Sequence, residues 1–277
     1  MSFFNYIKII RPINFVFVII AVVFGAYYRT ELNLSLSPIL AAISAVFICS
    51  SGYIFNDISD IEIDRINKPN RPLPMGKISL KSAKIYGIFF FVLGFLLVLY
   101  LQNIHMIILA LFNSVILWLY ANKGKQLHIL GNTIVAFAAA STFLYGGLAN
   151  NNFSNSLFIF AAAFLYTMIR ELIKDIEDIK GDKINTSLTF PLVYGRKKTL
   201  ILSIFLAILF NLILIFGLVK DYYNLVYYLI ILVFVGLFLM LDLIILYFLD
   251  DKSLAFFSEK AMKVDMFLFL IIIWVVQ

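Results

Sequence analysis

The chain has 277 residues, of which 63% are apolar and only 14% are charged, and its mean hydropathy is +0.99. A water-soluble domain of this length cannot bury so much apolar surface, and disordered chains are much more polar, so both classes are excluded. The single cysteine, Cys49, has no partner for an internal disulfide. The composition therefore predicts a protein whose main solvent is lipid.

Nine runs of about 20 apolar residues predict nine transmembrane helices. The first run follows an amphipathic stretch and precedes further spans, so we interpret it as a retained anchor rather than a signal peptide. The spans leave no room for a separate soluble domain, which predicts a single membrane-embedded domain over residues 1–277. In chain order the spans are 13–29, 36–56, 83–101, 104–121, 130–149, 156–174, 198–219, 224–249 and 262–276.

The basic residues are distributed unevenly between the predicted loops. All 22 Lys and Arg residues except Arg29 and Lys220 lie near the N-terminus, in the connections after even-numbered spans, or at the span ends that adjoin these connections. The positive-inside rule therefore predicts a multi-pass protein of the cell membrane, with its N-terminus and these connections in the cytoplasm and its C-terminus outside. This topology accounts for the net charge of +6 without a nucleic-acid partner.

Two of the cytoplasmic connections contain nearly the same sequence. Residues 57–67 read DISDIEIDRIN and residues 175–185 read DIEDIKGDKIN, which are identical at 7 of 11 positions. The 118 residues from one copy to the next include four predicted helices, so both copies face the same side of the membrane. We interpret the pattern as a parallel internal repeat. Each copy has aspartates at i, i+3 and i+7, namely Asp57, Asp60, Asp64 and Asp175, Asp178, Asp182.

The aspartate spacing predicts one shared helix face, provided that each helix continues past the membrane boundary. Three carboxylates on one face repel one another at neutral pH, and a hard divalent cation would relieve that repulsion. Mg²⁺ prefers oxygen ligands and is often shared with the phosphates of a substrate. We therefore predict that the two aspartate trios bind a diphosphate through Mg²⁺.

Two other interpretations of the aspartates remain open at this point. A run of charges is most often a solvated helix end with no ligand. Repeats and membrane carboxylates also occur in ion-coupled transporters. The trios, however, lie at helix ends, whereas Asp242 is an acid well inside a predicted span. A transporter is therefore the less favoured of the two functional hypotheses.

Basic residues accompany both aspartate motifs. The connection after the first trio reads NKPNRPLPMGK over residues 67–77, and its three prolines predict an extended, stiff segment. Lys68, Arg71 and Lys77 in this segment are candidates for binding phosphate oxygens. Arg170 and Lys174 lie one helical turn apart, just before the second trio. They either bind a phosphate or offset the nearby acids.

The motif Asn56-Asp57-x-x-Asp60-x-x-x-Asp64 resembles the first signature of the UbiA-type intramembrane prenyltransferases, and Asp175-x-x-Asp178-x-x-x-Asp182 resembles the second. The resemblance covers essentially the whole chain. It implies an all-α fold of about nine helices around a central cavity and the Mg²⁺-dependent transfer of a prenyl group from an isoprenyl diphosphate to an acceptor. It also implies that Asn56 and the six aspartates hold the metal and the diphosphate.

This family often has a tyrosine and a lysine four residues apart after its fourth helix. Here Tyr120 is followed by Lys123 and Lys125, so neither lysine has that spacing. We retain Tyr120 and Lys123 as candidate substrate-binding residues.

The second motif suggests a subgroup of this family. Two segments look most like those of archaeal enzymes that join geranylgeranyl diphosphate to geranylgeranylglyceryl phosphate. They are residues 170–182, RELIKDIEDIKGD, and the NKPNRP segment. That reaction forms the second ether bond of archaeal membrane lipids. Its acceptor bears a phosphate, which suits the cations near both motifs. Related enzymes with aromatic acceptors, such as 4-hydroxybenzoate or homogentisate in quinone biosynthesis, are the alternative.

Overall fold

The computed structural model describes residues 3–32, 35–123, 127–184, 188–249 and 252–276. Every regular element within these ranges is helical. A π-helical segment, Leu232–Leu237, joins the eleventh and twelfth helices. The α-helices are α1 (Phe3–Ile9), α2 (Pro12–Tyr27), α3 (Leu36–Ser59), α4 (Ile61–Asn67), α5 (Leu80–Tyr100), α6 (Ile104–Lys123), α7 (Ile129–Ala149), α8 (Phe153–Ile184), α9 (Phe190–Tyr194), α10 (Arg196–Val219), α11 (Leu225–Ile231), α12 (Phe238–Phe248) and α13 (Lys252–Val276).

The predicted all-α membrane class is confirmed, and the number of spans remains approximate. Within the described ranges, seven helical segments are long and apolar enough to cross a membrane: α3, α5, α6, α7, α8, α10 and the continuous segment Leu225–Phe248. Helix α2 is apolar but has 16 residues, fewer than the roughly 20 that a bilayer core requires. Helix α13 is not among the seven, because charged residues interrupt its first half.

The order of the helices repeats along the chain. Moving the bounds of α3 forward by the 118 residues that separate the two motifs gives 154–177, which lies within α8. The same shift moves α5 to 198–218, which lies within α10. Helices α2, α3, α5 and α6 thus correspond to α7, α8, α10 and the α11–α12 segment. This order supports the internal repeat that was predicted from the two aspartate motifs.

The chain forms two compact units. The first unit contains Met1–Gly124 and Ser141–Leu157, and the second contains Lys125–Ala140 and Phe158–Gln277. In the first unit, α3 packs most extensively against α5 and also against α2 and α6. Buried apolar residues of these helices form its core, among them Val22, Ala41, Ala45, Val98 and Met106.

Two glycines let α2 and α7 approach each other closely in the first unit. A Cβ atom added to Gly146 would lie 1.8 Å from the carbonyl oxygen of Val22. A Cβ atom on Gly25 would lie 1.9 Å from the carbonyl oxygen of Phe143. Any larger residue at either position would therefore push the two backbones apart.

The core of the second unit lies between α8, α10, α12 and α13. The ring of Tyr166 on α8 packs edge-on against Phe210 of α10, and Phe210 also contacts Phe269 of α13. Leu214 and Leu243, on α10 and α12, are fully buried. Large apolar side chains on the outer faces of both units remain exposed, as expected for surfaces that face lipid.

Candidate active site

The connection between α4 and α5, residues 68–79, is a compact series of turns. The backbone N–H of Gly76 donates to the carbonyl of Leu73 (2.9 Å), and that of Lys77 donates to Pro72 (3.0 Å). Leu73 is buried in a cluster with Ile9 of α1 and Ile54 of α3. The prediction of an extended segment is therefore wrong. Prolines also favour turns, and burial of the apolar side chains folds the segment back onto the helices.

The first aspartate motif is tied to this connection by ion pairs. Arg71 donates from Nη1 to Oδ1 of Asp57 (3.0 Å) and also to Oδ2 of Asp64. Both carboxylates are almost completely buried. Arg71, one of the predicted phosphate-binding residues, thus joins two of the three aspartates and neutralises part of their charge.

Asp60, the middle aspartate of the first motif, lies at a break in the helix. Helix α3 ends at Ser59, and Asp60 has a non-helical backbone (φ −90°, ψ 7°) before α4 begins at Ile61. The backbone hydrogen bonds nevertheless continue, from Asp60 to Asn56 (2.9 Å) and from Asp64 to Asp60 (2.8 Å). The side chain of Asn56 donates to Oδ2 of Asp60 (3.0 Å). The first trio therefore does not lie on one uninterrupted helix, because Asp57 is on α3, Asp64 is on α4, and Asp60 lies at the break between them.

Arg11 is a site residue that sequence reasoning missed. It lies between α1 and α2 with a left-handed backbone (φ 55°), and Pro12 begins α2 directly after it. Its guanidinium donates from Nη2 to the same Asp57 oxygen that Arg71 contacts, and it lies 5.1 Å from the centroid of the Tyr53 ring. In the sequence, Arg11 was marked only as one of two cations, with Lys8, in the amphipathic N-terminal stretch.

Helix α1 and the proline-containing connection fix the position of Arg11. Lys8 donates from Nζ to the carbonyl of Asn70 (3.0 Å), and the ring of Tyr6 meets that of Tyr86 edge-on at 5.3 Å. Ile9 is fully buried beneath the same connection. These contacts bring the first residues of the chain over the first aspartate motif.

The second aspartate motif lies on one continuous helix, as predicted. Asp175, Asp178 and Asp182 all belong to α8 and share one face because of their spacing. Asp175 accepts a hydrogen bond at Oδ2 from the amide of Asn132 on α7 (2.8 Å). Asp182 is buried and Asp178 is exposed. Asn132 is the second residue that sequence reasoning missed, since a single amide inside an apolar run gives no signal.

The two cations before the second motif surround a buried acid. Glu171 accepts from Arg170 (2.8 Å) and from Lys174 (3.1 Å). Its side chain is only 8% exposed, so an unpaired charge there would be costly. Of the two predicted roles for Arg170 and Lys174, these contacts correspond to offsetting local acids.

The remaining predicted binding residues lie near the surface. Lys68 and Lys77 are exposed in the connection after the first motif, and Tyr120 is partly buried near the end of α6. The side chain of Lys123 lies outside the described residues. The structure thus joins Arg71 to the first motif, whereas Lys68 and Lys77 lie at the exposed surface of the connection.

The donor set of the two motifs fits a hard divalent cation. Mg²⁺ binds carboxylate and amide oxygens, and both motifs supply these groups at buried or partly buried positions, apart from the exposed Asp178. In the described part of the chain, no three acidic, histidine or cysteine side chains are gathered closely enough to form a metal site. In the first motif, arginines contact one carboxylate oxygen of Asp57 and one of Asp64, so their positive charges lie beside the groups that a cation would bind.

Comparison with known proteins identifies the family. The sequence model of the UbiA prenyltransferase family matches residues 16–271. The chain belongs to the UbiA prenyltransferase family. It is 40% identical over 205 residues to digeranylgeranylglyceryl phosphate synthase of Methanococcus aeolicus, a match that covers 73% of this chain and 71% of that protein. The resemblance inferred from the two aspartate motifs is thereby confirmed.

Solved structures of this family share the fold. A structure of digeranylgeranylglyceryl phosphate synthase aligns with a TM-score of 0.82 and 32% identity, covering 98% of this chain and 97% of that chain. A UbiA homologue from Archaeoglobus fulgidus, bound to GPP and Mg²⁺, aligns with a TM-score of 0.74 and 18% identity, covering 98% of each chain. The chain is therefore a multi-pass membrane prenyltransferase.

Proposed function

We propose that this UbiA-family enzyme transfers a geranylgeranyl group from geranylgeranyl diphosphate to geranylgeranylglyceryl phosphate, which forms the second ether bond of archaeal membrane lipids. The observation that carries this proposal is the similarity to digeranylgeranylglyceryl phosphate synthases, at 40% identity in sequence and a TM-score of 0.82 in structure. No contact in the described residues favours an aromatic acceptor. The site is further proposed to belong to one prenyltransferase domain over residues 1–277, and the family match over residues 16–271 supports this extent.

The diphosphate and its metal are assigned to the two aspartate motifs. Bound Mg²⁺ would supply positive charge to the leaving diphosphate. The residues that would hold it are Asn56, Asp57, Asp60 and Asp64 in the first motif, and Asp175, Asp178 and Asp182 in the second. The Archaeoglobus homologue bound to GPP and Mg²⁺ supports a divalent cation and an isoprenyl diphosphate for this fold. Arg11 and Arg71, which already contact Asp57, would add charge-assisted hydrogen bonds to the phosphate oxygens.

The lysines are assigned to phosphate groups at the edge of the site. Lys68 and Lys77 lie exposed beside the first motif, and long flexible side chains suit point-charge contacts with phosphate. Four further residues are candidates for binding the phosphate of the acceptor. They are Tyr120 and Lys123 near the end of α6, and Arg170 and Lys174 beside Glu171. The positive-inside distribution supports placing this side of the protein in the cytoplasm.

The reaction exchanges one carbon–oxygen bond for another. The bond between C1 of the prenyl chain and the diphosphate oxygen breaks, and its electron pair leaves with the diphosphate. The acceptor hydroxyl oxygen then bonds to the allylic C1 cation and loses its proton to an oxygen of the released diphosphate. The chain's cations stabilise the developing negative charge, and surrounding apolar helices exclude water that would otherwise hydrolyse the cation.

A turnover assay with the purified full-length protein in detergent tests this function. Labelled geranylgeranyl diphosphate and Mg²⁺ would be supplied with either geranylgeranylglyceryl phosphate or 4-hydroxybenzoate. We expect an ether product with the lipid acceptor alone. Product with the phenol alone would reject the proposed acceptor and assign the enzyme to quinone biosynthesis.

A further inference from the structure

The ion pairs of the first motif join two deeply buried groups to two more accessible ones. The carboxylates of Asp57 and Asp64 are 4% and 5% exposed, whereas the side chains of Arg11 and Arg71 are 30% and 21% exposed. The aspartates are fixed on α3 and α4, but each arginine reaches them along a flexible side chain from a connecting segment. The arginines can therefore turn toward a ligand while the carboxylates stay in place.

The arginines contact one oxygen of each of the two buried carboxylates. Oδ1 of Asp57 accepts from both Arg11 and Arg71, and Oδ2 of Asp64 accepts from Arg71. A divalent cation beside Asp57 would meet two guanidinium charges at hydrogen-bonding distance from the same oxygen. Because like charges repel strongly in a partly buried site, the cation and the arginines compete for these carboxylates.

A diphosphate changes the outcome of this competition. The two arginines balance Asp57 and Asp64 in charge and Asp60 adds one negative charge, so Mg²⁺ alone would leave the first motif with a net positive charge. The diphosphate group brings several negative charges, which can accept hydrogen bonds from both arginines in place of the carboxylates. Binding of the metal and binding of the diphosphate should therefore each favour the other, as linkage requires.

We propose that Arg11 and Arg71 act as resident counter-ions of Asp57 and Asp64, and that they exchange the carboxylates for the diphosphate oxygens when Mg²⁺ and the prenyl diphosphate bind. This exchange couples metal binding to substrate binding in the first motif. The inference rests on the proposed function, because it takes Mg²⁺ and an isoprenyl diphosphate as the ligands.

Metal titrations without substrate test the exchange directly. Mn²⁺, followed by electron paramagnetic resonance, would be titrated into the full-length protein and into the variants Arg11→Gln and Arg71→Gln. Each variant removes a competing cation, so we expect Mn²⁺ to bind about tenfold more tightly, which corresponds to about 1.4 kcal/mol. Arg65→Gln is the matched control, since Arg65 pairs with the exposed Glu62 at 2.8 Å, and it should leave Mn²⁺ affinity unchanged.

A second titration measures the other half of the exchange. With Mn²⁺ present, a non-cleavable thiolo analogue of geranylgeranyl diphosphate should bind about tenfold more weakly to Arg11→Gln or Arg71→Gln, because one charge-assisted contact is lost. The gain in metal affinity that the analogue produces in the unchanged protein should therefore shrink in both variants.

The outcomes separate this inference from the proposed function. Unchanged or weaker Mn²⁺ binding by both arginine variants, with melting temperatures like that of the unchanged protein, would overturn the exchange. If one arginine variant fails to fold, the Mn²⁺ affinity of the other variant still tests the exchange. An unchanged protein that shows the exchange but produces no ether from geranylgeranylglyceryl phosphate would reject only the proposed acceptor. A protein that binds neither Mn²⁺ nor the analogue would refute both proposals.

Discussion

Replacing Gly146 by alanine tests the close contact between α2 and α7. An alanine Cβ would lie 1.8 Å from the carbonyl oxygen of Val22 and 2.7 Å from its carbonyl carbon. Both atoms belong to the backbone of a helix, so no side chain can rotate away, and the helices must separate by more than an ångström. Overpacking of this kind costs about 3 kcal/mol, and the higher helix propensity of alanine returns about 1 kcal/mol.

Gly52→Ala is the matched control in the same unit. A Cβ at Gly52, on α3, would lie 3.7 Å from a methyl carbon of Leu117, which is ordinary van der Waals contact. This variant should gain up to about 1 kcal/mol from helix propensity alone. At about 3 °C per kcal/mol for a chain of this size, Gly146→Ala should lower the melting temperature by about 6 °C and Gly52→Ala should raise it by about 3 °C.

Thermal unfolding in one detergent, followed by intrinsic fluorescence, measures both variants under the same conditions. The comparison cancels the effect of the shared Gly→Ala change and leaves the effect of the neighbouring backbone. Equal melting temperatures for the two variants would refute the close approach of α2 and α7.

Three further predictions concern the aspartate motifs. Asp57→Ala and Asp175→Ala should each lower kcat by about 100-fold or more, because a preorganised electrostatic contact is lost. Steady-state turnover checks this, with Glu62→Gln as the control because Glu62 is exposed. Full turnover by either alanine variant would reject the role of that motif in catalysis. EDTA should abolish prenyl transfer and added Mg²⁺ should restore it, and transfer that persists in excess chelator would rule out a divalent cation. Asn132→Ala should weaken activation by Mg²⁺ about tenfold, because Asp175 loses a hydrogen bond to its charged group. A Mg²⁺ titration of turnover tests this. The hydroxyl of the adjacent Thr133 bonds within α7 and to Met168, so the control variant Thr133→Val should change the activation little.

Much of the fold was predictable because hydropathy is a local property. Each of the nine predicted spans coincides with helix in the structure, although α11 and α12 divide the span at 224–249 and α2 is short for a membrane. The aspartate motifs also repeat in sequence, and the order of the helices repeats with them. Composition and periodicity determine such features because lipid requires each spanning segment to satisfy its own backbone hydrogen bonds.

The partners of the charged residues could not be predicted in this way. Arg11 contacts Asp57 across 46 residues, and Asn132 contacts Asp175 across 43 residues. Neither pairing follows from spacing along one helix, since both require two segments to pack at a particular depth and rotation. The same packing turned the proline-containing connection inward and brought Arg71 onto Asp57 and Asp64.

The amino-acid sequence by itself determined the membrane class, the positions of the helices and the two acidic motifs, because these depend on hydropathy and on residue type over short distances. Tertiary structure alone decided that α3 breaks at Asp60, that Asn132 contacts Asp175, and that Asp57 is shared by two arginines. Buried charges must find partners, and which partners they find depends on which segments the fold brings within hydrogen-bonding distance.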